Sequence, residues 1–176
     1  METLVRREIR YRILGDGGPK VVLLHGGPKT ARHLNRLALA LSGGFTVYLP
    51  DLSGLDDEPG VLLLDLAEAA EVLAESGAGN VFGVGSGAMV ALTAAVELPG
   101  IERLALYEPT RVDLFGSSVE AETLLLGRPR HTPYGKDLEV VLPRLHRVAL
   151  RGVGRHGPDD RGRPDLVAAE LRKFFR

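Results

Sequence analysis

The chain has 176 residues, formal net charge −1 and 26% charged residues, which is the size of one domain and excludes attraction to nucleic acid through bulk charge. It has no cysteine, which excludes disulfides, thiolate nucleophiles and cysteine metal sites together. The apolar runs at 21–24, 61–64 and 124–126 are far shorter than the roughly 20 residues of a membrane span, and the charged opening METLVRREIR lacks the apolar core of a signal peptide. A cytoplasmic chain with no membrane partner is expected.

Along the chain, Ile9, Tyr11 and Ile13 alternate with Arg10 and Arg12, the pattern of a half-buried edge strand. It stops at Asp16-Gly17-Gly18-Pro19. Residues 21–24 form a continuous apolar run, as in a parallel strand covered on both faces. Thr30 is placed to cap the next helix, in which Leu34, Leu37, Ala38 and Leu41 share a face. Residues 45–49 read as a strand. After an acidic loop at 56–60, Leu62, Leu66, Ala69 and Leu73 mark a second amphipathic helix closing at Gly77.

Residues 81–84 are strand-like, and 88–96 are apolar on nearly every side, as expected of a helix packed in mid-domain. Two short strands follow at 104–107 and 123–126, then a helix near 138–142, a strand at 147–150, and a terminal helix with Val167, Leu171, Phe174 and Phe175 on one face. The alternation predicts one α/β domain over 1–176, a mainly parallel sheet flanked by helices on both faces. Arginine outnumbers lysine 18 to 4, glutamine is absent, and Asn35 and Asn80 are the only asparagines. That composition has a thermophilic direction, although GC-rich coding gives the same arginine excess.

Four segments, in order, resemble the α/β-hydrolase family. They are Leu23-Leu24-His25-Gly26-Gly27-Pro28, Val47-Tyr48-Leu49-Pro50-Asp51-Leu52 with Gly54, Phe82-Gly83-Val84-Gly85-Ser86-Gly87-Ala88, and Leu150-Arg151-Gly152-Val153-Gly154-Arg155-His156-Gly157-Pro158. The resemblance implies an oxyanion loop at Gly27, a nucleophile elbow near Gly85 and a histidine loop near His156. Where the family inserts a helical cap, the chain has little more than 111–121, so α/β-hydrolase topology without a cap domain is expected.

The three catalytic positions depart from that pattern. An elbow needs small residues two before and two after its nucleophile. Gly83 and Gly87 meet that need if position 85 is the tip, which then carries no side chain; a tip at Ser86 puts β-branched Val84 in the turn. In the Gly85 register Ser86 begins the next helix, turns its N–H to the site and satisfies a nearby backbone group with its hydroxyl. The base position falls on Arg155 counted from Gly152 and Gly154, or on His156 counted from Pro158. The resemblance puts the acid at Arg130, three residues after Gly127; Glu108 is the alternative acid, or a strand-end carboxylate paired with an arginine. His131 is a loop residue near the site. No metal-ligand spacing occurs among the histidines, and no cofactor is expected.

The resulting expectation is a hydrolase-like protein without hydrolase activity. A small carboxylate or phosphate would sit among Gly27, Gly85, Ser86, Arg130 and Arg155, with the Gly27 N–H free to receive it. These arginines can instead point to solvent or pair with Glu108, Asp113 or Asp137. An esterase using Ser86, His156 and Glu108, and an interaction domain with no small ligand, are the alternatives. Leu114, Phe115 and Val119 are expected to leave an apolar face beside the uncapped site, through which two copies of the chain can associate.

Overall fold

The computed structural model describes residues 9–27, 30–53, 59–110, 117–129 and 138–176, without the side chains of 59–61. Seven strands form one sheet in the order β1-β3-β2-β4-β5-β6-β7. They are β1 (Tyr11–Leu14), β2 (Lys20–Leu24), β3 (Thr46–Pro50), β4 (Asn80–Val84), β5 (Arg103–Tyr107), β6 (Glu122–Gly127) and β7 (Leu145–Ala149). Among the described residues, β1 alone runs antiparallel, pairing with β3 at the edge. Among the described residues five helices accompany them: α1 (Asn35–Ser42), α2 (Pro59–Ser76), α3 (Ser86–Glu97), α4 (Leu138–Val141) and α5 (Pro164–Phe174), with a 3₁₀ turn at Ala31–Leu34 before α1.

A strand inside a parallel sheet must bury both faces, and β2 does so with Val21, Val22, Leu23 and Leu24 all at 0% exposure. Val21 and Leu23 join the core formed with Leu37, Leu41, Phe45, Leu171 and Phe175 from the α1 and α5 side. Val22 and Leu24 join the opposite core with Val72, Val90, Leu92 and Leu104 from the α2 and α3 side. The apolar α3 lies inside this second core, as its sequence predicts, with Ala88, Ala91, Leu92 and Ala94 fully buried. In α5, Pro164 sits at the first turn, Asp165 near the N-terminus and Arg172 and Lys173 near the C-terminus, a charge order that suits the helix dipole.

The predicted elements all occur, with three differences in detail. The edge strand leaves Ile13 54% exposed. The last strand is Leu145–Ala149 instead of 147–150, because pairing of Leu145 with Thr123 of β6 starts it earlier. Thr30 caps a 3₁₀ turn, not the α-helix itself.

β5 and β6 are joined by residues 108–121, and the described residues contain no cap domain. Val119, expected on an apolar face, is fully buried, and its N–H donates to the Val141 carbonyl at 2.9 Å. It supplies no surface for a second copy. Asp113, Leu114, Phe115, Arg130, His131 and Asp137 lie outside the described residues. Among the described residues, no helix is long and apolar enough to cross a membrane.

Candidate active site

The elbow between β4 and α3 is set by sterics. A Cβ on Gly83 would lie 2.4 Å from the Gly87 carbonyl oxygen, and one on Gly87 would lie 2.4 Å from the carbonyl oxygens of both Leu24 and His25. Neither position admits a side chain, since these neighbours are backbone atoms that cannot rotate away. Gly85, between them, has φ 57° and ψ −119°, a conformation that glycine adopts without a Cβ penalty. Its N–H donates to the Tyr107 carbonyl at 3.0 Å and its carbonyl accepts from Ala88 N–H at 3.1 Å. A Cβ on Gly85 would meet nothing within 4 Å. Position 85 is therefore the tip of the turn, open to a side chain that the sequence does not supply.

Ser86 is the first residue of α3. Its Oγ accepts a hydrogen bond from the Gly27 N–H at 2.8 Å. The hydroxyl satisfies a backbone group, but one on the β2 loop, 59 residues away, and not in its own helix. This corrects the expectation that Gly27 offers a free N–H, because Ser86 Oγ already occupies it. One hydroxyl oxygen that accepts such a bond still has its own proton to donate.

His25 holds the loop that carries Gly27. The ring is buried and its Nε2 accepts from the Leu52 N–H at 3.0 Å. The proton then belongs on Nδ1, which faces the Gly26 carbonyl at 3.4 Å. Burial pushes the imidazole pKa below its ordinary 6.5, outweighing the Gly26 carbonyl and the Asp51 carboxylate, which raise it. Asp51 lies 3.9 Å from Nε2, and its Oδ1 also accepts from the Ala31 N–H at 3.1 Å. Next to it, Ser53 donates both N–H and hydroxyl to the buried Glu68 carboxylate of α2.

Glu108 follows β5 directly, in the left-handed region at φ 41°. Its Oε1 accepts from the Arg128 N–H and Nε, and its Oε2 from Arg128 Nη2, each at 2.9 Å. This two-pronged pairing clips the end of β5 to the residue after β6. The clip leaves the carboxylate employed as a strand-end pair. Among the described residues, Arg128 is the arginine that takes it; Arg130 lies outside them.

The loop after β7 turns through Gly152, Gly154 and Gly157, all at positive φ. Val153 is buried within it, whereas Arg155 and His156 are exposed. Among the described residues, no hydrogen bond joins either side chain to Ser86 or Glu108. The loop backbone itself is fixed: Asp160 N–H donates to the His33 carbonyl at 2.8 Å, and Arg36 donates through N–H and Nη1 to Asp160 at 2.8 Å each. Gly157 packs on the Tyr107 ring, 2.6 Å from where its Cβ would be. The Tyr107 hydroxyl is buried with no hydrogen-bond partner among the described residues, and burial raises its pKa, keeping the phenol neutral. Among the described residues no group of three His, Asp or Glu side chains can hold a metal ion.

Serine-hydrolase chemistry needs a nucleophile within hydrogen-bond reach of a base that a third group orients. Here the tip has no side chain, the adjacent hydroxyl sits on Gly27, and the nearby carboxylate is paired with Arg128. Two residues of the site could not be placed from spacing: Arg128, whose partner lies on another strand, and Tyr107, which reads as an ordinary strand residue.

Comparison with known proteins agrees with the fold. The model of the alpha/beta hydrolase family matches residues 21–176. No curated protein matches the sequence. Among solved structures, an alpha/beta hydrolase from Sphaerobacter thermophilus DSM 20745 superposes with a TM-score of 0.76 at 20% identity, covering 96% of each chain. An esterase of a marine microorganism gives 0.75 at 14% identity over 95% of this chain and 99% of the other. A 1H-3-hydroxy-4-oxoquinoline 2,4-dioxygenase gives 0.71 at 13% identity over 96% of both. At these identities the likeness is one of fold, and the named activities differ among the three.

Proposed function

The chain belongs to the alpha/beta hydrolase family, and from its site we propose that it does not cleave esters by the serine route but holds a small carboxylate or phosphate at the side-chain-free tip of its elbow. One observation carries the reading: the turn leaves open space for a side chain at position 85, and that residue is Gly85. Ser86 does not replace it, because its Oγ is held on Gly27 N–H at 2.8 Å.

Three features support an anionic ligand. The Ser86 hydroxyl, polarised by the N–H it accepts from, has a proton to give to a ligand oxygen. The N-terminal end of α3 adds its dipole at the same point. Arg155, exposed and unpaired among the described residues, is a cation on the neighbouring loop. Arg130 is proposed as a second cation from its sequence position alone.

A panel of p-nitrophenyl esters and a fluorophosphonate label test the first part. Wild type and Ser86→Ala are expected to be equally inert, and neither to be labelled. Turnover that Ser86→Ala abolishes would establish an esterase using Ser86 and sink the proposal. Calorimetric titration with acetate and inorganic phosphate tests the second part. Binding that weakens in Arg155→Ala supports it, and no binding at millimolar concentration, or none that Arg155→Ala changes, removes it.

A further inference from the structure

We propose a second anion site, separate from the elbow, in a depression at the sheet edge lined by Arg10, Arg12 and Arg32, fitted to the phosphoryl group of a small soluble phosphate compound. The depression has a volume of about 290 Å³, and among the described residues Tyr11, Ala31, Leu49 and Asp51 also line it. No elbow residue takes part, so it stands or falls independently of the reading above.

Two elements bring the three arginines together. β1 runs antiparallel to β3 with Arg12 opposite Leu49, and side chains two apart on a strand share a face. Arg10 and Arg12 therefore stand on one side, and the Asp51 N–H fixes this end by donating to the Arg10 carbonyl at 2.9 Å. Arg32 arrives from the 3₁₀ turn before α1.

The charges in the depression do not balance. Among the described residues that line it, three guanidiniums face one carboxylate, and Asp51 is already engaged by Ala31 N–H and lies near His25. None of the three guanidiniums has a hydrogen bond or ion pair among the described residues. By contrast Arg128, Arg144, Arg147 and Arg163 each rest on a carboxylate. Grouped like charges repel unless an anion lies between them, and the planar guanidinium fork matches phosphate oxygens two at a time. The site is a small concavity on a chain of net charge −1, which suits a compact phosphate and not a nucleic-acid track.

Calorimetry with sodium pyrophosphate at physiological salt tests this on the full chain, comparing wild type with Arg12→Ala, Arg32→Ala, Arg147→Ala and Arg155→Ala. Saturable binding is expected, weakened about tenfold or more in each of the first two variants, as loss of a charge-assisted contact implies, and unchanged in Arg147→Ala on β7 at the opposite edge of the sheet; a component lost only in Arg155→Ala belongs to the elbow. The Arg12 and Arg32 side chains are exposed, and a thermal melt confirms folding. No saturation at millimolar pyrophosphate, equal binding in wild type, Arg12→Ala and Arg32→Ala, or loss only in Arg155→Ala would each overturn it. So would co-sedimentation with phosphatidylserine vesicles without binding of free pyrophosphate.

Discussion

The turn after β4 and the loop after β7 lie at the same end of the parallel sheet and constrain their residues in different ways. In the turn, backbone atoms of β2 and α3 press on Gly83 and Gly87 so closely that a single methyl group does not fit. In the loop, the backbone is tied to His33, Arg36 and Tyr107, while the side chains of Arg155 and His156 stand in solvent. The shape of the elbow is a packing requirement that holds whether or not a nucleophile sits on it. The base position carries no such requirement, so its side chain can differ without disturbing the fold. A hydrolase-like shape is therefore compatible with an elbow whose tip carries no side chain.

Substitutions in the elbow give the largest expected effect. Gly87→Ala and Gly83→Ala place a methyl group 2.4 Å from backbone oxygen, which forces the β4–α3 and β2 segments apart and is expected to cost about 4 kcal/mol. Gly85→Ala meets open space and is expected to cost only the backbone strain, about 1–2 kcal/mol. Urea unfolding of the three variants checks the ranking; equal losses at all three positions would break the distinction between tip and flanks.

Across the site, Glu108→Ala removes the clip between β5 and β6. The Glu108 side chain is 14% exposed and that of Arg128 42%, so solvent screens part of the pair. The expected loss is about 1–2 kcal/mol, partly offset by release of the positive-φ strain at Glu108. Esterase background is expected to stay where it was. A change in turnover with unchanged stability would mark Glu108 as part of a working acid and contradict its role as a clip.

The His25 imidazole gives a smaller and pH-dependent term. Its pKa is 6.5 when unperturbed and lower in the fold because of burial. The unfolded chain therefore takes up a proton just below pH 6.5 that the native state refuses, and the contribution is full above 6.5 and lost as pH falls through the folded value. The slope attributable to one proton is at most about 1.4 kcal/mol per pH unit. His25→Gln keeps an acceptor for Leu52 N–H and is expected to flatten that part of the curve. An identical pH profile in both proteins would show that the ring does not have to be neutral to hold the loop.

Most of the frame is readable in the sequence for simple physical reasons. β2 is an unbroken apolar run because both its faces are covered, and α3 is apolar all round because it lies between sheet and α2. Gly83, Gly85 and Gly87 identify the elbow because only that spacing avoids a clash. What the sequence hides are contacts between distant segments. Glu108 and Arg128 become neighbours only through the β5–β6 register that sets Tyr107 beside Leu126. Arg10, Arg12 and Arg32 converge only because β1 folds back along β3. Val119 looks like surface in an isolated loop, yet the Val141 carbonyl and the α2–α3 side core enclose it.

Ser86 is the point at which the elbow meets the β2 loop, and Ser86→Ala has the smallest expected effect on stability. The substitution removes the acceptor for Gly27 N–H, a bond with a net contribution of about 1 kcal/mol. The loss is smaller if water reaches the freed N–H, which the partial exposure of Gly27 and Ser86 permits. Amide hydrogen exchange at Gly27 reads the contact directly: exchange is expected to quicken in Ser86→Ala while the global unfolding free energy changes by no more than about 1 kcal/mol. Carboxylate binding is the informative second readout. If the ligand takes its proton from the Ser86 hydroxyl, affinity falls in Ser86→Ala; if the freed Gly27 N–H serves as well or better, affinity holds or rises. The second result would mean that the serine covers the oxyanion site of this fold instead of extending it, and the elbow would then act as a plug on a site that the β2 loop still builds.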